Sequence, residues 1–142
     1  MSDPRAVNWQ PIGMAPVIAD LIDRALKDAR TQFTMLSEAK PQPHVLDDAT
    51  LDHVDRVHKE QLQFVDIYDQ QITRWRAETP TPAQSGKLDR TVEQNQKLRA
   101  VTMDILALSS ELRKGSIDRI MEMSDLELGL QALLGGMHAK RF

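Results

Sequence analysis

Three long stretches of helical periodicity, separated by proline-rich breaks, constrain most strongly what this chain can fold into. In each stretch the apolar residues recur every three or four positions, which places them along one face of an α-helix. The sequences KPQP at 40–43 and TPTP at 79–82 interrupt this pattern. Proline has no N–H donor and its ring clashes with the preceding turn, so a helix ends near it. The sequence therefore predicts an all-α protein.

The three long helices are predicted over residues 14–40, 48–78 and 82–114. At about 1.5 Å per residue, they would run about 40–50 Å. Helices of similar length that are joined by short turns pack antiparallel to their neighbours in the chain. We therefore expect an up-down-up bundle in which residues 14–142 form one domain, preceded by an N-terminal extension over residues 1–13.

Two of the helix starts carry capping signals. Asp47 or Asp48 can accept hydrogen bonds from the free N–H groups that open the second helix. Thr81 and Gln84 have the spacing of a capping box, with proline between them at the first helical position. The second helix also has a coiled-coil-like seam, formed by Leu51, Val54, His58, Gln61, Val65, Tyr68, Ile72 and Trp75.

The C-terminal part of the chain predicts a short fourth helix. Gly115 breaks the register of the third helix, and SDLE at 124–127 is another capping-box sequence, so short helical segments are expected over about 117–134. This segment either folds back on the bundle end or docks on another subunit or a partner protein, since methionine-rich surfaces repack readily. Its candidate interaction residues are Met121, Met123, Leu126, Leu130, Leu133, Leu134 and Met137.

Composition narrows the function classes. The chain has 142 residues, no cysteine and a net charge of -3. The absence of cysteine removes disulfides and thiolate chemistry and suits a reducing compartment. The net charge does not provide the basic field typical of nucleic-acid binders. No secretion signal and no membrane-spanning apolar run are apparent, so we expect a soluble, cytoplasmic protein.

The only metal-ligand candidates are Asp55 and His58, three residues apart on the second helix. His53 and His58 differ by about 140° around the helix, so they cannot share one ion. A di-iron bundle needs Glu-x-x-His on two helices and further glutamates, which this sequence lacks. His58 is therefore interpreted as part of a buried polar layer that fixes helix alignment, with Asn95 as a possible partner in that layer.

Motifs for other chemistry are missing from the sequence. No Gly-x-Ser-x-Gly elbow, Gly-x-Gly-x-x-Gly loop or Walker lysine pattern occurs. Arg74 and Arg76 flank Trp75, a combination that can bind nucleic acid, but Trp75 lies on the seam. It is expected to close a bundle end with its N–H bonded to a turn carbonyl, and Trp9 is expected to pack there too.

The favoured hypothesis is a non-catalytic helical interaction or scaffold module that self-associates as a homodimer and carries no cofactor. Few aromatic residues make the core thin, and association would bury further apolar surface. The alternative is a small helical-bundle enzyme or a ligand or metal carrier, with a site formed by Asp55, His58, Gln61 and Tyr68. A second alternative is a nucleic-acid-associated regulatory protein.

Overall fold

The computed structural model describes residues 7–42 and 46–133, and within them the chain is helical, with no strand. A 3₁₀ turn, Ile12–Met14, leads into helix α1, Ala15–Glu38. Helix α2 covers Asp48–Arg76 and helix α3 covers Pro82–Leu133. The predicted all-α class and the presence of three long helices are confirmed.

The predicted caps of α2 and α3 are both formed. The Asp47 carboxylate accepts a hydrogen bond from the Thr50 N–H at 2.8 Å. At the start of α3, the Gln84 N–H donates to the Thr81 hydroxyl at 3.1 Å, and the Thr81 N–H donates to the Gln84 side chain at 2.9 Å. These bonds satisfy backbone donors that a helix start leaves free, so they fix where each helix begins.

The turn between α2 and α3 contains a strained residue. Thr79 has a φ of 50°, in the left-handed region that β-branched residues rarely adopt. Helix α2 has ended by then, at Arg76, and the Glu78 N–H bonds to the Trp75 carbonyl in a tighter turn. The turn is therefore short at the cost of local backbone strain.

Helix α3 packs against both α1 and α2 and supplies the central seam of the core. Its buried positions alternate by three and four residues, as in a coiled coil. They are Leu88, Thr91, Asn95, Leu98, Thr102, Ile105, Ser109 and Leu112. The other two helices bury apolar residues against this seam, chiefly Ile22, Leu26, Ala29 and Leu36 from α1, and Leu51, Val54, Val65 and Ile72 from α2.

Polar contacts show which levels of the helices lie together. On α2, Asp69 bonds to Arg99 at 2.8 Å and Asp55 bonds to Arg113 at 3.1 Å. On the other side of α3, Gln94 bonds to Asp23 in α1. Just past the end of α1, Lys40 pairs with Glu111.

The C-terminal part differs from the sequence prediction. Helix α3 does not end at Lys114 but continues without a break to Leu133, so residues 117–133 belong to α3 and not to a separate helix. Glycine costs a helix only about 1 kcal/mol relative to alanine, and no proline follows Gly115 to enforce a stop. Among the α3 residues whose side chains the structure describes, Leu112 is the last one in the bundle core. At about 1.5 Å per residue, the helix continues for about 30 Å beyond it.

Among the described residues, no helix combines the length and apolar character that a membrane span requires.

Candidate functional site

His58 lies in the core, as its seam position predicts. Its side chain is 7% exposed, and Nδ1 has no hydrogen-bond partner in the described part of the chain. Burial lowers the pKa of His58, an effect that the negative charge of Asp55 partly opposes. The imidazole is therefore held in its neutral form near pH 7.

Asp55, the other predicted metal candidate, is engaged by an arginine. Its carboxylate accepts a hydrogen bond from Arg113 at 3.1 Å, and Arg113 also pairs with Asp52 at 3.0 Å. Among the described residues, no three histidine, aspartate or glutamate side chains are grouped closely enough to hold a metal ion. Asp55 is thus bonded to Arg113, and the described residues provide no set of three ligands that includes Asp55 and His58.

Ser109 is a second buried polar residue near the level of His58, as judged from the pairing of Asp55 with Arg113. Its side chain is fully buried, and Oγ has no hydrogen-bond partner among the described residues. An activated serine needs a base in hydrogen-bond contact with its hydroxyl. Because Ser109 Oγ and His58 Nδ1 are both unpaired, these atoms do not form such a contact.

Asn95 takes part in a different layer from the one predicted. Its side-chain amide donates to the Val65 carbonyl at 3.0 Å and to the Asp69 carboxylate at 2.8 Å. These partners lie two turns or more along α2 from His58, so the predicted pairing of Asn95 with His58 is wrong. The amide oxygen of Asn95 is buried without a partner in the described residues, which lowers stability.

Two matching ionic clamps join α2 to α3. In the first, Arg99 pairs with Asp66 and Asp69, both at 2.8 Å. The hydrogen bonds to Asp66 and Asp69 raise the pKa of Arg99. In the second, Arg113 pairs with the residues fourteen positions earlier on α2, Asp52 and Asp55.

Arg99 and Arg113 are themselves fourteen residues apart, so the second clamp repeats the first after two heptads on both helices. Sequence reasoning missed this arrangement. The signal that could have found it is the Asp-x-x-Asp spacing, which occurs twice on α2 at the same interval as the two arginines on α3.

Trp75 closes one end of the bundle, as predicted. It is fully buried, and its indole N–H donates to the Gln10 carbonyl at 2.9 Å. The Gln10 N–H donates in turn to the buried side chain of Gln71 at 2.7 Å. Gln10 belongs to the predicted N-terminal extension, so part of that extension is packed on α2.

The arginines near Trp75 have partners within the chain. The Arg74 guanidinium lies over the ring of Trp9, 4.1 Å from its centroid, in a cation–π contact. Arg76 pairs with Asp89 at 2.6 Å. The arginine and aromatic residues that could stack a base are therefore used to fasten the end of the bundle.

A groove of about 530 Å³ lies between the N-terminal halves of α1 and α3. Small residues of α1 form one wall, including Ala15, Pro16 and Ala19, and the opposite wall includes Lys87 and Leu88. A shallower depression of about 580 Å³ lies on the outer face of α2 and is lined by charged and polar residues. His58 lines neither of them.

The extension of α3, residues 116–133, has two exposed large apolar residues among those whose side chains the structure describes. Leu126 is 73% exposed and Leu130 is 57% exposed. Two residues of the predicted interaction set, Leu134 and Met137, lie outside the described residues, as do the side chains of Met121, Met123 and Leu133.

The extension continues the seam of the core in the same phase. Counting on from Leu112 in steps of four and three gives Ser116, Arg119 and then four apolar residues, Met123, Leu126, Leu130 and Leu133. The face that α1 and α2 cover within the bundle therefore continues beyond it. At Leu126 and Leu130 that face is open, so this segment does not fold back there.

No protein-family model, curated protein or solved structure matches this chain.

Proposed function

We propose that this protein is a non-catalytic helical interaction module that associates with itself, as a homodimer, through the extension of α3. The observation that carries the proposal is the exposure of Leu126 and Leu130, which lie in phase with the core seam on the uninterrupted helix α3. Monomeric proteins rarely leave a row of large apolar residues in water without an interaction that uses it. Full burial of one leucine side chain contributes about 1.5–3 kcal/mol.

We also propose that the bundle is an up-down-up coiled-coil arrangement. The contacts of Asp69 with Arg99 and of Asp55 with Arg113 support an antiparallel α2 and α3, since residue numbers fall on one helix as they rise on the other. The contacts of Asp23 with Gln94 and of Lys40 with Glu111 support a parallel α1 and α3. The cysteine-free composition suits a reducing compartment such as the cytoplasm.

Buried polar groups have an aligning role in this proposal. The clamps of Arg99 and Arg113 and the hydrogen bonds of Asn95 all join α2 to α3. Such contacts contribute more to the choice of register than to net stability. His58 and Ser109 then belong to the same set of polar core positions, with no chemistry assigned to them.

The test is sedimentation equilibrium of the full chain and of a double variant, Leu126→Glu with Leu130→Glu. The unmodified protein is expected to be a dimer in the micromolar range, and the double variant a monomer with unchanged helix content. The matched control is Val17→Glu with Leu21→Glu, which also changes two exposed residues four positions apart, but on α1. This control should remain dimeric.

An unmodified protein that is monomeric at high micromolar concentration would rule out self-association. If the α1 control dissociated and the α3 variant did not, the dimer would use the α1 surface, and the extension would lose its proposed role.

A further inference from the structure

We infer that the occupant of the exposed seam is the same extension of a second copy, running antiparallel, with Leu126 of one chain opposite Leu130 of the other. This inference rests on the proposed self-association and adds its orientation and register. It follows from the phase of the seam, from the distribution of charge along the extension, and from the position of the paired residues on α3.

The seam pairs with itself in one antiparallel register without a polar mismatch. Its apolar positions, Met123, Leu126, Leu130 and Leu133, are spaced three, four and three residues apart, and this spacing reads the same in both directions. Antiparallel alignment with Met123 opposite Leu133 therefore brings all four positions of one chain against the same four of the other. Gly129 lies near the centre of the overlap, where a Cβ would meet no atom within 4 Å.

Charge selects the antiparallel orientation. Residues 118–127 contain four acidic residues and one arginine, whereas residues 129–138 contain no acidic residue. A parallel pair would set the acidic stretch of one chain against that of the other, and like charges held side by side oppose association. In the antiparallel register residues 123–127 of one chain face residues 133–129 of the other, which contain no acidic residue.

The position of the paired residues on α3 fits this register. They begin at Met123, eleven residues or about 16 Å beyond Leu112 of the bundle core. The paired residues therefore lie clear of the core of their own chain.

Cysteine cross-linking tests the register directly, because the native chain contains no cysteine. Two single variants, Met123→Cys and Leu133→Cys, are oxidised separately and as an equimolar mixture after subunit exchange. A disulfide requires Cα atoms about 4.4–6.8 Å apart. In the proposed register equal positions are offset by about 15 Å along the axis, whereas position 123 faces position 133.

At equal concentrations about half of the chains are in mixed dimers, so the mixture is expected to link up to about half of the chains by a disulfide. Each variant alone is expected to give almost no linked dimer. Met103→Cys, at an exposed position of α3 within the bundle, measures random collision and should stay unlinked. Sedimentation equilibrium of each reduced variant confirms that it still dimerises.

Other outcomes separate the two proposals. Strong cross-linking of each single variant with itself would show a parallel pair and overturn the orientation, while self-association would stand. Dimers that give no disulfide in any combination would place the interface elsewhere, which would overturn this inference and the proposed role of the extension, while self-association would stand. A monomeric native chain would overturn both proposals.

Discussion

Replacing Trp75 with phenylalanine tests how the N-terminal residues hold the end of the bundle. The substitution removes the hydrogen bond from the indole N–H to the Gln10 carbonyl, which measures 2.9 Å, at a net cost of about 1 kcal/mol. The smaller ring leaves a space of roughly 40 Å³ at a fully buried site, which costs about 1 kcal/mol more at roughly 24 cal/mol per Å³. Trp75→Phe should therefore lower the free energy of unfolding by about 2 kcal/mol.

Urea unfolding followed by circular dichroism at 222 nm measures this change. For a slope of about 2 kcal/mol per molar urea, the midpoint should fall by about 1 M with the slope unchanged. The control is Trp9→Phe, because Trp9 is half-buried and contacts Arg74 through its ring face. A phenyl ring keeps much of that interaction, so the control should cost less than about 0.5 kcal/mol. Equal effects of the two substitutions, or a smaller effect at Trp75, would refute the assignment of the hydrogen bond and of the closed bundle end.

Three further perturbations follow from the core and the turn. Burial holds the pKa of His58 below the 6.5 of a free histidine, so the unfolded chain takes up a proton first as the pH falls. The free energy of unfolding should be flat above about pH 7.5, decline as the pH falls through about 6.5, and level off below the folded pKa of His58. Urea titrations at several pH values measure this decline. His58→Gln should abolish it, whereas substitution of the exposed His53 by glutamine should leave it in place. Leu98→Ala, at a fully buried seam position, should cost about 2–5 kcal/mol in the same assay, and a loss below about 1 kcal/mol would contradict the packing. Thr79→Gly should relieve the left-handed strain, and the gain should exceed the entropy cost of glycine by roughly 0.5 kcal/mol in the free energy of unfolding. The melting temperature should then rise by about 1–2 °C. A lower melting temperature would mean that the turn does not strain the threonine.

The helices could be predicted from the sequence wherever proline and a capping side chain marked their ends. The prediction for α2, residues 48–78, differs from the observed Asp48–Arg76 by two residues at one end. The starts of α2 and α3 were predicted correctly, because Asp47 and Thr81 form local hydrogen bonds that depend only on neighbouring residues.

The predicted break at Gly115 was wrong for a physical reason. Both observed interruptions between long helices contain proline, which prevents the helical hydrogen bond. Glycine and a capping-box sequence only lower the free-energy cost of ending a helix. In α3 the apolar seam positions resume in the same phase after Gly115, Ser116 and Arg119, and that longer pattern was a better guide than the local signal.

The partners of the polar core residues could not be predicted, because they depend on the offset of one helix against another along the bundle axis. That offset is set by the turn at 77–81 and by packing, and a shift of one turn changes every pair. The burial of His58 follows from its own seam position, whereas the bond of Asn95 to Asp69 requires the offset. The burial of Trp75 and its bond to a carbonyl were predictable. The identity of that carbonyl, Gln10, was not, because the residues before α1 have no periodic pattern.

The contrast along the single seam of α3 explains how one helix could serve both the bundle and a second copy. Within the bundle, half of the buried seam positions are polar, namely Thr91, Asn95, Thr102 and Ser109. A second copy's apolar extension placed there would leave the Asn95 amide without the Asp69 and Val65 oxygens that it now reaches, and an unpaired buried amide costs about 1–3 kcal/mol. Beyond Arg119 the seam is apolar through Leu133, so it offers a second copy no unpaired polar group. The polar layers thus favour α2 as the partner of the first part of α3. The last part of the seam has no polar layer, so it suits an apolar helix as its partner.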